Sequence, residues 1–105
     1  LGASWEGFVI ENLLAQAPGR TQAGFYRTSA GAEIDLLLQL PGKTKPWAIE
    51  IKYGLSPKPS RGFHQAIEDL SAEKAFVVYS GDERYPLSAR TEAISLRELS
   101  TLLCE

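Results

Sequence analysis

Glu33-Ile34-Asp35-Leu36-Leu37-Leu38-Gln39-Leu40-Pro41-Gly42-Lys43-Thr44-Lys45-Pro46-Trp47-Ala48-Ile49-Glu50-Ile51-Lys52 consists of two apolar runs with charge set inside each, separated by a proline–glycine turn. The pattern predicts two strands, about residues 33–40 and 47–53, joined through Pro41–Lys45. Side chains alternate across a strand. Ile34, Leu36 and Leu38 are therefore expected on one face, with Asp35 and Leu37 on the other. On the second strand Ile49 and Ile51 share a face, while Ala48, Glu50 and Lys52 point the opposite way.

Closing the hairpin brings the charges together. With Leu40 opposite Lys45, Asp35 faces Glu50; with Leu40 opposite Trp47, Asp35 faces Lys52. Either register puts Asp35, Glu50 and Lys52 in one patch, where directly opposite Cβ atoms lie about 4.5–5.5 Å apart and like charges repel. A divalent cation converts that repulsion into ligation, and Mg²⁺ suits one or two carboxylates with waters and a substrate phosphate. Edge strands also carry charges that oppose aggregation. On spacing alone, a solvated Glu50–Lys52 ion pair accounts for the motif better than a catalytic one.

Outward from the hairpin, Trp5, Phe8, Val9 and Leu13 follow helical spacing up to Pro18-Gly19. Phe25–Ser29 is rich in strand formers before an Ala30-Gly31 turn. Ser60 is the expected N-cap of a helix with Phe63, Ala66, Ile67 and Leu70 on one face. Lys74–Tyr79 reads as a buried strand, Gly81–Pro86 as a loop, and Glu92–Ile94 as a short strand. Ser95 and Glu98 carry a capping-box signature ahead of Leu99, Leu102 and Leu103. The expected order is α-β-β-β-α-β-β-α, a single α/β domain over residues 1–105 with a mixed sheet flanked by helices.

Composition bounds the function. The chain has 105 residues, 44% hydrophobic and 23% charged, as an ordinary globular domain does. No membrane-length apolar run or signal peptide is present, and one cysteine, Cys104, fits a reducing compartment, hence an expected cytoplasmic location. A net charge of −2 argues against a strongly basic nucleic-acid binder, but metal ions can offset acidic ligands locally. The single histidine, His64, leaves no histidine-based zinc site. Ser29, Ser56 and Ser60 lack a base and an orienting acid, and no glycine sits in a phosphate loop. Lys43, Lys45, Lys58 and Arg61 flank the hairpin as solvating charges able to meet a phosphate backbone. There is no methionine, and the chain opens almost directly on the helical pattern, which reads as a piece of a longer protein.

Asp35 followed by Glu50-Ile51-Lys52 resembles the PD-(D/E)XK nuclease superfamily: an acidic residue, a hairpin, then acidic-x-Lys on the next strand. The family's α-β-β-β-α-β core agrees with the order above. Gly2-Ala3-Ser4-Trp5-Glu6 resembles the family's first-helix motif and maps Glu6 to its glutamate, with Glu11 as the fallback. Phe25-Tyr26-Arg27, Ala32–Asp35 and Ile49–Lys52 resemble more closely a branch of uncharacterised domains, found C-terminal to AAA+-type ATPase domains in bacteria and archaea. Ile34 stands where the superfamily name has proline, and Asp69 stands where a second-helix motif beginning at Gln65 would have tyrosine.

The resemblance implies a restriction-endonuclease-like core and Mg²⁺ or Mn²⁺ held by Asp35, Glu50 and the Ile51 carbonyl. It also implies that Glu6 orients a metal-bound water or a second ion and Lys52 positions the hydroxide. The expected function is metal-dependent hydrolysis of DNA phosphodiesters by a deoxyribonuclease, with the parent chain's ATPase domain as partner. The alternative is a catalytically silent nuclease-fold module that mediates interaction or regulation for that ATPase.

Overall fold

A computed structural model describes the chain from Gly2 to Glu105, with side-chain surroundings from Ser4 onward. Leu1, where the reading of a cut chain begins, lies outside these residues. The elements run α1 (Gly2–Gln16), β1 (Gln22–Arg27), β2 (Glu33–Gln39), β3 (Trp47–Ile51), α2 (Arg61–Leu70), β4 (Lys74–Tyr79), β5 (Tyr85–Pro86), β6 (Thr91–Ser95) and α3 (Leu96–Cys104). This is the expected mixed α/β order with one addition: Tyr85-Pro86, expected inside a loop, pairs antiparallel with β6.

The six strands lie in the order β1-β2-β3-β4-β6-β5. β1, β2 and β3 form the antiparallel meander, whereas β4 runs parallel to both β3 and β6. A parallel neighbour needs a long crossover, and α2 supplies the one between β3 and β4. Ser60 caps α2 as expected, its Oγ accepting from the Phe63 N–H at 3.1 Å. Ser95 caps α3 in the same way, accepting from the Glu98 N–H at 3.0 Å. The Glu98 carboxylate reaches Arg84 at 3.3 Å.

Helices cover both faces. Val9 and Leu13 of α1 pack with Leu99 and Leu103 of α3 over Leu36, Leu38, Ile49, Phe76, Val78 and Ile94. On the other face Phe63, Ala66 and Ile67 of α2 pack on Ile34, Ala48, Ala75 and Val77. The small Ala48 and Ala75 let α2 lie close to the sheet. Each large apolar side chain buried in these layers contributes about 1.5–3 kcal/mol.

This layering corrects two expectations. β3 is a central strand, and all five of its residues are buried, so Glu50 is no edge-strand charge. The alternation along β2 also fails. Ile34 joins the α2-side core, while Leu36 and Leu38 join the other. The cause is a bulge: the two steps along β1 from Gly24 to Tyr26 match three along β2, from Leu37 to Ile34. The extra residue falls at Asp35–Leu36, inside the predicted site.

Candidate functional site

The hairpin adopts the first of the two expected registers, with Leu36 opposite Ile49, Leu37 opposite Ala48 and Leu38 opposite Trp47. Continued by one pair, this register would oppose Asp35 and Glu50. The bulge intervenes, and the paired positions end at Leu36 and Ile49. The Asp35 carboxylate then does the work of a strand: its Oδ2 accepts the Ile51 N–H at 2.9 Å. A buried backbone donor left unpaired costs about 1–3 kcal/mol, so Asp35 seals the place where the bulge opens the β2–β3 ladder. Burial pushes the Asp35 carboxyl above the ordinary aspartate range. The Ile51 N–H opposes that shift, Glu33 adds to it, and Lys52 and Arg27 oppose it.

Glu50 is 6% exposed and faces the α2 side. Its Oε1 accepts the N–H of Ser60 at 3.0 Å, and its Oε2 lies 3.9 Å from Lys52 Nζ. Glu50 thus holds the residue that caps α2, and its charge sits near a helix N-terminus, where it is favourable. The Lys52 ion pair is long, and the lysine side chain is 37% exposed, so solvent screening limits its contribution to about 1 kcal/mol or less. The Lys52 backbone is fully used: its N–H donates to the Val78 carbonyl at 2.8 Å, and its carbonyl accepts Trp5 Nε1–H at 3.1 Å.

Asp35 accepts the Ile51 N–H, and Glu50 accepts the Ser60 N–H beside Lys52, so each carboxylate serves the fold's own hydrogen-bonding. Glu6 lies exposed on α1. Among the described residues, no group of three or more His, Cys, Asp or Glu side chains is placed to hold a metal ion. The two carboxylates that would be ligands each already accept a backbone N–H. The donor set does not fit Mg²⁺ or Mn²⁺, which overturns the expectation of a magnesium-dependent nuclease that hydrolyses DNA.

The accessory candidates also lie elsewhere. Gln65 is exposed and donates to Asp69 Oδ1 at 2.9 Å, one helical turn away. The Tyr26 hydroxyl donates to the other Asp69 oxygen at 3.1 Å, so the residue at the would-be tyrosine position ties α2 to β1. His64 is exposed on α2, and Cys104 is exposed with its Sγ 2.7 Å from Gln16 Oε1. Sequence reading missed Ser60 and Trp5 as members of the charged network. A half-buried tryptophan signals that its indole N–H needs an acceptor, but nothing local identifies Lys52 as that acceptor.

A six-stranded mixed sheet, covered by two helices on one face and one on the other, with a charged hairpin turned inward, defines an α/β domain. The chain belongs to the domain family of unknown function DUF4143, whose model matches residues 1–99. It is 40% identical over 102 residues to the uncharacterized protein Rv2008c of Mycobacterium tuberculosis, and equally to the uncharacterized protein Mb2031c of Mycobacterium bovis. Each alignment covers 96% of this chain but 22% of the relative, so the chain spans about a fifth of the length of these curated relatives. No solved structure matches it. Among the described residues, no helix is long and apolar enough to cross a membrane.

Proposed function

We propose that this domain keeps a restriction-endonuclease-like fold without the chemistry and serves as an interaction or regulatory module within a larger AAA+-type ATPase polypeptide. The observation that carries this reading is the occupation of its acidic pair. Asp35 accepts from Ile51 and Glu50 accepts from Ser60, so the carboxylates bind the hairpin and α2 into one unit. Support for the fold relationship comes from the α-β-β-β-α-β order and from the acidic residue, hairpin and acidic-x-Lys sequence. Support for a modular role comes from the small share of the longer relatives that the domain matches. A net charge of −2 favours a protein partner over a nucleic acid.

The test is incubation of plasmid and single-stranded DNA with the protein and Mn²⁺. The expected result is no cleavage above a protein-free control, by wild type or by Lys52→Ala. Cleavage by wild type that disappears in a folded Lys52→Ala variant would overturn the proposal.

A further inference from the structure

Six large apolar side chains of the described residues are exposed, and four of them, on α1, in the loop after β3 and on β5, are linked in series by ring contacts and a shared cleft. They are Phe8 (53% exposed), Tyr53 (66%), Leu55 (76%) and Tyr85 (37%). Trp5 links Phe8 to Tyr53, with ring centroids 6.1 Å apart on either side. The backbone then turns at Gly54, whose carbonyl accepts the Ser80 N–H and whose N–H donates to Ser80 Oγ, both at 2.9 Å. This double link sets the loop after β3 against the loop after β4. Leu55 enters a cleft of about 480 Å³ with Tyr79 and Tyr85, whose rings meet edge to face at 6.3 Å. Gly81 lies against the Tyr79 ring, where a Cβ would strike it. Singly scattered apolar residues are normal on a surface, but a contiguous stripe marks a contact site.

Charge selects what covers it. The cleft is lined by Asp82 and Glu83 and by no cation. Arg84, the next residue, turns away to Glu92 at 2.9 Å and Glu98 at 3.3 Å. At the other end Glu6 is exposed beside Trp5, and Lys52 is paired with Glu50. A second copy docking by the same face would set these carboxylates against their own kind. A basic segment meets them with opposite charge, and its cations can lie over Trp5, Tyr53 and Tyr85.

We infer that the Phe8–Trp5–Tyr53–Leu55–Tyr85 stripe docks a segment of a protein partner that carries aliphatic side chains interspersed with arginine or lysine. This rests on the interaction-module reading and specifies its partner. The aliphatic groups cover the stripe, and a cationic side chain enters the cleft towards Asp82 and Glu83.

The test is amide chemical-shift mapping with three synthetic peptides of equal length, rich in leucine and arginine, in leucine and glutamate, and in serine and arginine. The expected result is saturable shifts confined to residues 5–8, 53–55 and 79–85, with the leucine–arginine peptide alone. Leu55→Ser and Tyr53→Ser replace exposed side chains and leave the fold intact, and each is expected to weaken binding about tenfold, or 1.4 kcal/mol. Leu14→Ser, on an exposed position outside the stripe, should leave affinity unchanged. Equal binding of the acidic peptide, shifts elsewhere, or no saturable shifts with any peptide would overturn the inference. So would a wild-type dimer in sedimentation that Leu55→Ser dissolves, which would assign the stripe to a second copy. DNA cleavage in the separate nuclease assay would refute the silent-module reading and leave the binding result standing.

Discussion

Replacing Glu50 with alanine is expected to lower the unfolding free energy by about 2–3 kcal/mol, the range for a hydrogen bond to a charged group whose partner is left buried. Glu50 is 6% exposed, and its Oε1 is the acceptor for the Ser60 N–H. Without it, the residue that caps α2 loses its anchor to β3, and a small void opens beside Val77. The Lys52 side chain can turn into water, so loss of the ion pair adds little. Glu50→Gln keeps an acceptor oxygen at the same reach, and its expected loss is about 1 kcal/mol. Urea unfolding checks both variants as a fall in midpoint with unchanged slope. A carboxylate held for chemistry rather than for the fold behaves in the opposite way, because its removal is neutral or stabilising. An equal or higher midpoint for Glu50→Ala would contradict the structural role.

Gly62→Ala is expected to destabilise the domain by about 1–3 kcal/mol, the usual cost of overpacking. The sign is diagnostic. Inside a helix, replacing glycine with alanine ordinarily gains about 0.5–1 kcal/mol. At Gly62 a Cβ would run into the carbonyl oxygen of Gly31, with the Glu33 N–H close behind. These are backbone atoms and cannot swing aside. Gly31 itself stands at φ +100°, in the turn between β1 and β2, so the turn cannot be rebuilt around another residue without strain. The first turn of α2 is thus pressed against the β1–β2 turn, next to the strand that bears Asp35. Gly7 of α1 provides the internal comparison: nothing lies within 4 Å of a Cβ there, so Gly7→Ala should gain the ordinary increment. A stabilised Gly62→Ala would mean that α2 sits farther from the β1–β2 turn.

The fold was legible where it rests on local chemistry. Alternation in residues 33–40 and 47–53, the Pro41-Gly42 turn, and Ser60 and Ser95 as caps predicted the central hairpin and two helix starts. Tyr85-Pro86 was missed because two residues carry no period, and their strand exists only by pairing with β6. The bulge at Asp35 was missed for a related reason. It arises from the mismatch between β1 and β2, and nothing in Glu33-Ile34-Asp35-Leu36 marks it.

The charged residues were legible as belonging to neighbouring strands, and their roles were not. Counting along the hairpin put Asp35, Glu50 and Lys52 in one patch; the structure shows Asp35 on the Ile51 N–H and Glu50 beside Lys52. Their partners lie far off in sequence or on backbone N–H groups, which sequence patterns do not display. Ser60 meets Glu50 through its main chain, and Trp5 reaches the Lys52 carbonyl from the first helix. A motif of acidic-x-Lys on a strand therefore indicates buried carboxylates that need partners, and here the chain itself supplies them.

The central claim is that Asp35 and Glu50 bind the chain to itself rather than a metal. Thermal unfolding of the wild-type domain in rising Mn²⁺, with Asp35→Ala alongside, tests it most directly. A ligand that binds the folded state at 100 times its dissociation constant stabilises by about 2.7 kcal/mol. For a domain near this size that raises Tm by roughly 10–20 °C. The account predicts the same small, unsaturated drift in Tm for both proteins up to millimolar Mn²⁺. A saturable rise in wild type that is absent from Asp35→Ala would contradict it.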